Sequence, residues 1–177
     1  MVFRVRSLTE IVNVILPHFD KYPLITQKLA DYLLFCEAIK LIKNKEHLDP
    51  AGFNKIINIK ASLNRGLSDE LKLVFPKNTP VSRPVIENKK IPHGMWLAGF
   101  TSGEGCFLVA EFKSTTKLGI TPRLRFQITQ HSRDEQLLLK FVTYLGCGRY
   151  TKRSSGTAGD FLCTKFPDIV GKIIPFF

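Results

Sequence analysis

The sequence predicts an α+β fold in which a helical first part precedes a part that mixes helices with strands. Through about residue 66, apolar residues recur at the i, i+3, i+4 spacing of amphipathic helices. From Ile91 the pattern becomes helix, strand, strand, helix, strand, strand, helix. The chain has 177 residues and is 44% hydrophobic, so it can bury a core and is not a disordered tail.

Three helices are predicted in the first part, residues 1–66. Thr9 and Thr26 are placed to cap the first two, and Gly66 is a usual stop for the third. Pro17 and Pro23 are expected to break the chain after the first helix. The predicted helices cover residues 8–19, 26–46 and 49–64.

Residues 67–90 are predicted to be a linker draped over a surface, because helical periodicity is lost there and prolines and charges alternate. The second part, residues 91–177, follows it. Strands are recognised there by their period-2 alternation, and Gly146 is a stop for the helix before it. The predicted elements are helices at residues 92–103 and 134–145, strands at 106–113, 123–130, 148–153 and 161–166, and a last helix within the final ten residues.

The sequence contains an internal match. Residues 2–19 align with residues 160–177, and six of the eighteen positions are identical. Both stretches read as a strand, then an amphipathic helix, then a proline. We interpret the match as a repeat of about 158 residues, so that the chain starts inside one copy and stops at the equivalent point of the next.

Composition excludes several classes of protein. No apolar run is long enough to span a membrane, and the N-terminus lacks the apolar region of a secretory signal, so we expect no membrane partner. The four cysteines form no C-x-x-C pair or zinc pattern and are expected to be reduced, mostly buried thiols in an intracellular compartment. They are Cys36, Cys106, Cys147 and Cys163.

Positive charge is concentrated in the second part. The net charge is +11, and residues 113–153 contain nine Lys or Arg but only two acids. Polar side chains alternate with apolar ones in the predicted strands, and Arg and Gln are the side chains that read guanine and adenine edges. This pattern predicts a sheet face that binds duplex DNA, the alternative being an ordinary solvated face. The candidate DNA-binding residues are Lys113, Ser114, Thr116, Lys117, Arg123, Arg125, Gln127, Thr129, Arg149, Thr151 and Arg153.

The helix predicted at residues 92–103 has one face that carries only small side chains. Its small residues are spaced at i, i+1, i+4 and i+5, which lets another helix approach closely. Ordinary packing of a helix on a strand is the alternative explanation. The candidate helix interface consists of Ala98, Gly99, Ser102 and Gly103.

Glu104 follows at the end of this helix, where the helix dipole disfavours a carboxylate and a cation would stabilise it. A carboxylate beside the free carbonyls of a last turn suits Mg²⁺ or Ca²⁺ rather than Zn²⁺. Glu104 and Gly103 are therefore the candidate metal residues. A salt bridge from Glu104 to a nearby Lys or Arg explains the same position equally well.

Residues 97–105, LAGFTSGEG, resemble the nine-residue signature of the LAGLIDADG homing endonucleases. The stretches ILPHFDKYPLITQKLADYLLF and KNKEHL resemble the end of that family's first repeat, and IKASLNRGLSDELKLVFP its connector. FQITQHSRDEQLLL and YLGCGRY resemble the second repeat. The chain is similar over nearly its whole length to the single-chain, two-repeat members encoded in fungal mitochondrial introns.

The resemblance implies a saddle of two αββαββα units, each lending an antiparallel sheet to the DNA major groove. It implies a site-specific endonuclease that makes metal-dependent double-strand cuts, with Glu104 as one of two metal-binding acids and Mg²⁺ as cofactor. Gln130 falls where a peripheral polar residue of the catalytic site is expected, although a plain strand-end amide is an equal reading. Residues 1–66 would then be the end of a first repeat and residues 91–177 the start of a second.

One departure from the family pattern lies in residues 1–90, which contain no second signature helix. The chain is therefore expected to be a fragment with half of the metal site, inactive unless a missing first-repeat segment or a second copy of the chain completes it. A maturase that binds intron RNA and a decayed reading frame are the alternatives. The family suggests a mitochondrial, organelle-encoded protein.

Overall fold

The computed structural model describes residues 3–87 and 90–177 and divides them into two compact units. The first unit reaches Glu87, and the second begins after it. Each unit is described by itself. Within residues 3–87 and 90–177, no helix has both the length and the apolar character needed to cross a membrane.

The first unit is helical. Helix α1 runs from Leu8 to Lys21, and its N-cap is Ser7 instead of the predicted Thr9. The N-cap of the second helix is Gln27, which makes no side-chain capping bond, instead of the predicted Thr26. Thr26, one residue earlier, accepts a hydrogen bond from the amide of Lys28 at 3.2 Å. The remaining elements are α2 (Lys28–Lys43), a 3₁₀ turn (Glu46–Leu48), α3 (Pro50–Ser62) and α4 (Asp69–Val74).

Pro17 does not break α1, contrary to the prediction. The helix widens into a π-helical stretch, Ile11–Ile15, directly before the proline. A proline has no N–H and crowds the carbonyl four residues back, and the wider turn accommodates both defects. The helix ends instead at Tyr22, whose backbone leaves the helical region before Pro23.

The last helix of the chain has the same construction. A π-helical stretch, Ile169–Ile173, again lies just before a proline, Pro175. These stretches occupy equivalent positions in the two aligned segments of the sequence, 158 residues apart. The predicted strand before α1 is not formed, since no described ladder pairs with residues 3–7, and a strand needs a hydrogen-bonded neighbour.

The predicted linker is more ordered than expected. Ser68 caps α4, accepting from the amide of Leu71, so residues 67–90 include a helix. Farther on, the guanidinium of Arg83 bonds the buried carboxylate of Asp31 at 2.6 Å. The segment up to residue 87 therefore belongs to the first compact unit, held there by a salt bridge from its one arginine after α4.

The second unit combines three helices with one sheet. Its helices are α5 (Gly94–Glu104), α6 (Glu135–Leu145) and α7, which begins at Phe166 and ends at Phe176. The strands form a four-stranded antiparallel sheet in the order β1-β2-β4-β3. They are β1 (Gly105–Lys113), β2 (Ile120–His131), β3 (Arg149–Lys152) and β4 (Ala158–Cys163).

One face of the sheet carries the core. Phe126 and Phe161 lie on it and pack with Phe141 of α6, and all three side chains are fully buried. The opposite face is called the outer face below. The α+β fold is thus confirmed, and the helices and strands of the second unit follow in the order that the sequence predicts.

The fourth strand starts and ends three residues earlier than predicted. Gly156, at φ 71°, makes a tight turn that returns the chain to the sheet at Ala158. The ladder with β2 ends at Cys163, and Pro167 then sits in the first turn of α7. A strand through residue 166 is therefore excluded by the start of the helix.

Candidate nucleic-acid interface

The register of the sheet brings the polar strand residues together on the outer face. Residues directly opposite in an antiparallel ladder share a face, and Thr129 lies opposite Asp160, which lies opposite Thr151. Alternation then places the other polar residues of β2 and β3 on that face. The strand residues predicted to bind DNA that share it are Arg123, Arg125, Gln127, Thr129, Arg149, Thr151 and Arg153.

Strand β1 contributes a different chemistry to the outer face. Cys106 lies opposite Gln127, and Phe112 lies next to the arginines, with the guanidinium of Arg123 4.7 Å from its ring centre. This cation–π contact holds the guanidinium of Arg123 over the apolar ring of Phe112. The edge of the outer face formed by β1 is thus mostly apolar.

The remaining predicted DNA-binding residues lie at the β1–β2 turn. Lys113 pairs with Ile120 and points to the face opposite the arginines, at the exposed end of its strand. Gly119, at φ 70°, closes the turn through a bond to the carbonyl of Thr116. Lys117 is exposed at its tip, with Ser114 bonding the backbone of Thr116.

An acidic residue that the sequence analysis missed joins three of the predicted residues. Asp160 Oδ1 accepts from Gln127 Nε2 at 3.0 Å, from Thr129 Oγ1 at 2.7 Å and from Arg153 Nη2 at 2.8 Å. Its Oδ2 accepts from Arg153 Nε at 2.8 Å. Arg153 Nη2 and Gln127 Nε2 also donate to Thr129 Oγ1. These four side chains are called the Asp160 cluster below.

Asp160 is ionised because of these contacts. The bidentate bonds from Arg153 lower the pKa of its carboxyl below the usual range, against the opposing effect of burial, and Thr129 and Gln127 lower it further. Asp160 lies just beyond residues 113–153, the basic segment in which the sequence shows only two acids. The signal that would have found it is the strand boundary, since a strand starting at 158 puts Asp160 opposite Thr129.

Glu104 is the last residue of α5, and β1 starts directly after it. Its side chain is exposed, and it has no ion-pair partner among residues 3–87 and 90–177. No residue in this part of the chain therefore forms the salt bridge that was the alternative explanation of Glu104. Gly105 makes the sharp step from helix to strand possible, since a Cβ there would lie 2.4 Å from the Thr101 methyl carbon.

The site has the donors for a hard cation but not a full ligand set. The described residues contain no group of three or more His, Cys, Asp or Glu that could hold a metal ion. One exposed carboxylate suits Mg²⁺, which keeps several waters and takes one or two carboxylates together with phosphate oxygens. Glu104 therefore fits a metal shared with another acid and with DNA phosphates.

The small face of α5 is open. A Cβ added at Gly99 or Gly103 would meet nothing within 4 Å, and Ser102 bonds the carbonyl of Ala98 on its own helix. The ordinary packing of these glycines against a strand is thus not found in the described chain. The face has room for another helix, which the described residues do not supply.

Gln130 does not lie with the arginines. It pairs with Gly159 near the end of β2 and shares the alternation of Ile128, so it is half-buried on the core side. Its end of β2 is nevertheless close to Glu104 in the sheet, because Gly105 pairs with Ile128. A role beside the metal acid stays a prediction.

A search against protein families matches the family described as LAGLIDADG endonuclease over residues 1–39 and 97–177. The matched regions make up more than half of the chain and contain the signature helix. The chain belongs to the LAGLIDADG endonuclease family. The resemblance seen in residues 97–105 is thereby confirmed.

Fungal LAGLIDADG proteins are among its relatives. The chain is 43% identical over 171 residues to "Probable intron-encoded endonuclease 3" of Neurospora crassa, covering 95% of this chain and 32% of that protein. It is 32% identical to "Probable intron-encoded DNA endonuclease 1" of Mycosarcoma maydis, covering 98% of this chain and 67% of that protein. It spans two-fifths or less of the two Neurospora crassa relatives it matches.

Solved structures of the family give the same fold. I-SmaMI bound to an uncleaved DNA target in the presence of calcium ions is 50% identical with a TM-score of 0.95, over 99% of this chain and 60% of that one. The I-LtrWI LAGLIDADG homing endonuclease bound to target DNA is 46% identical with a TM-score of 0.94, over 99% and 59%. The α+β fold predicted for the family is therefore the fold of this chain.

Proposed function

We propose that the chain is the DNA-recognising part of a site-specific homing endonuclease and supplies one of its two metal-binding acids. The observation that carries this is the outer face, where seven polar strand residues selected from the sequence lie together on a sheet whose first strand starts directly after the exposed Glu104. The relatives crystallised with DNA targets support duplex DNA as the partner. The fungal relatives named as intron-encoded support a mitochondrial, organelle-encoded origin.

The proposed chemistry is metal-dependent cutting of both strands. Mg²⁺ shared between Glu104 and a second acid would activate water and stabilise the leaving oxygen. Glu104 would hold the cation, while the outer face would orient the duplex so that a scissile phosphate lies beside this carboxylate. The small face of α5 would receive the helix that carries the second acid.

The two units have proposed origins within the family's repeats. Residues 1–66 would be the end of a first repeat, 67–90 the connector, and 91–177 the start of a second. The equivalent π-helical stretches of α1 and α7 support this assignment. With one signature helix in the described residues, the second acid would come from a first-repeat segment or from a second copy of the chain.

Selection from a pool of randomised duplexes tests the binding part of the proposal. The purified chain should retain one family of related sequences, and structured RNA should not compete on equal terms. Equal retention of all duplexes, together with strong competition by RNA, would favour the intron-RNA role and overturn the endonuclease proposal.

A cleavage assay on the selected sequence tests the half site. The chain should bind the site yet fail to cut both strands with Mg²⁺, because one carboxylate does not hold metal across two phosphates. Sedimentation at several concentrations should accompany the assay, since a homodimer would bring two copies of Glu104 together. Robust Mg²⁺-dependent double-strand cutting by a monomer would contradict the proposal.

A further inference from the structure

The Asp160 cluster lies in the middle of the outer face, and its hydrogen bonds determine what each side chain can still offer to DNA. A carboxylate only accepts, so Gln127 must present its amide nitrogen, and not its oxygen, to Asp160. Gln127 Nε2 donates to both Asp160 Oδ1 and Thr129 Oγ1, so the nitrogen of this amide faces the cluster. The carbonyl oxygen, Oε1, accepts no hydrogen bond from residues 3–87 or 90–177.

The Thr129 hydroxyl has no hydrogen-bonding position left for DNA. A hydroxyl has one donor and two acceptor positions, and Thr129 donates to Asp160 while accepting from Gln127 and Arg153. Its hydroxyl is saturated within the protein. Thr129 therefore acts by locking its neighbours and does not read a base itself.

Arg153 is neutralised by the same acid. Asp160 accepts from Nε and Nη2 in a bidentate pair, and Nη2 also donates to Thr129 Oγ1. Nη1 donates to none of the described residues and is left for DNA. The Asp160 side chain is 14% exposed, so it is mostly covered by the residues it holds.

We propose that Asp160 is a positioning residue that orients the Gln127 amide so that its carbonyl oxygen, Oε1, reads one base. This rests on the proposed function, since it requires duplex DNA on the outer face. In the major groove an acceptor pairs with the amino group of adenine or cytosine, whereas guanine and thymine present acceptors there. A free glutamine can use both ends of its amide, so the restriction comes from Asp160 and not from Gln127.

The first test measures base preference by selection from randomised duplexes with the whole chain. Substituting Gln127→Ala identifies the position that Gln127 reads, because preference is lost there alone. The wild-type chain should favour one base pair at that position by about two- to tenfold, the worth of one net hydrogen bond. This preference should disappear when the adenine or cytosine of the pair is replaced by an analogue without its amino group. A preference that survives loss of the amino group would overturn the proposal.

The decisive variant is Asp160→Asn, which keeps the shape but allows the Gln127 amide to turn over. It should relax the base-pair preference at that one position and, because Arg153 is freed for a phosphate, steepen the salt dependence by about one unit. Asp168→Asn is the matched control, since Asp168 pairs with Lys172 on α7 and not with the cluster. An unchanged preference in Asp160→Asn would overturn the proposal.

A second measurement separates this inference from the proposed function. In the free chain, NMR of the Gln127 side-chain amide should show slowly exchanging protons that become fast in Asp160→Asn and in Thr129→Val. Fast exchange in the wild type, with sequence-selective DNA binding intact, would overturn the inference alone. A cluster that is intact in a chain with no duplex selectivity would overturn the proposed function, and base reading with it.

Discussion

Glu104 differs from the other exposed acids of its unit in its position at the junction of α5 and β1. Glu111 is also exposed but lies seven residues along β1, away from the helix end. If Glu104 holds the metal, its neutral isostere should lose metal binding without disturbing the sheet. The two acids thus form a matched pair for testing the role of the carboxylate.

We expect Glu104→Gln to remove the Mg²⁺ or Ca²⁺ that the complex of the chain with its selected duplex binds beyond what the duplex binds alone. Affinity for DNA in the absence of metal should stay nearly unchanged, because the outer face is untouched. Titration calorimetry of Ca²⁺ into the two complexes measures the effect. Equal loss in Glu104→Gln and Glu111→Gln would show that Glu104 contributes only general charge.

Lys117 is expected to meet phosphate and not bases, since it is exposed at the tip of the β1–β2 turn. Lys117→Ala should weaken binding to all duplexes alike and lower the slope of log affinity against log salt by about one unit. Filter binding at several salt concentrations measures this. A loss restricted to the selected sequence would instead assign Lys117 to base reading.

Individual residues on the outer face could be predicted because β2 alternates strictly, so Arg125 and Gln127 were assigned to one face before any register was known. Asp160 could not, since its strand was placed three residues late and charge counts carry no pairing information. The partner of an arginine depends on which strand lies beside it. That is a property of the ladder and not of the local sequence.

At the scale of elements, the glycines of α5 and of its junction with β1 differ in the space around them. Gly99 has open space where a Cβ would go, whereas Gly105 has the Thr101 side chain at 2.4 Å. In the helix interior, alanine is favoured over glycine by about 0.8–1 kcal/mol. The two positions should therefore respond in opposite directions to the same substitution.

Gly99→Ala should raise the free energy of unfolding of the isolated chain by up to about 1 kcal/mol, because it removes backbone entropy without a clash. Gly105→Ala should lower it. Urea unfolding of the three proteins gives the comparison. A destabilised Gly99→Ala would mean that this face is already packed within the chain.

The bond from Arg83 to Asp31 holds the segment after α4 on the first unit. Arg83→Met should lower the free energy of unfolding by about 1–3 kcal/mol, because the buried carboxylate of Asp31 loses its strongest partner. Arg65→Met, at an exposed position, should change it by less than about 0.5 kcal/mol. Equal small effects would show that the segment is not held by this pair.

The same pair predicts a pH dependence. Burial opposes the charge on Asp31, but bonds from Arg83, Asn64 and Lys28 outweigh it and lower the pKa of the carboxyl below its usual range. Its contribution is thus full above its ordinary pKa of about 3.9 and is lost as pH falls below that value. The stability difference between wild type and Asp31→Asn should shrink on acidification, and a difference that is constant down to acid pH would contradict this.

Element boundaries were predictable where capping and periodicity agree, as for α2, α3 and α6. The failures have local causes. A proline normally ends a helix, but a π-helical turn relieves it in α1, and α4 is too short to show a periodicity within a proline-rich stretch. The end of β4 is set by its ladder with β2, which the sequence of a single strand does not contain.

For the whole molecule, the fold class and family were accessible from sequence because the signature helix and the two-strand patterns are local. The completeness of the site was not, since it depends on a second acid and on what covers α5. The proposed function requires that a duplex lies over the outer face beside Glu104. The chain carries a natural probe for this at Cys106.

Cys106 is exposed, lies opposite Gln127 on the outer face and follows Glu104 by two residues. Alkylation of its thiol, followed by mass spectrometry with and without saturating selected duplex, measures directly whether DNA covers this spot. Cys36, in the first unit and half-buried, provides the internal reference. Bound duplex should slow alkylation of Cys106 and leave that of Cys36 unaffected. An unchanged rate at Cys106 in a fully bound complex would contradict DNA binding on the outer face.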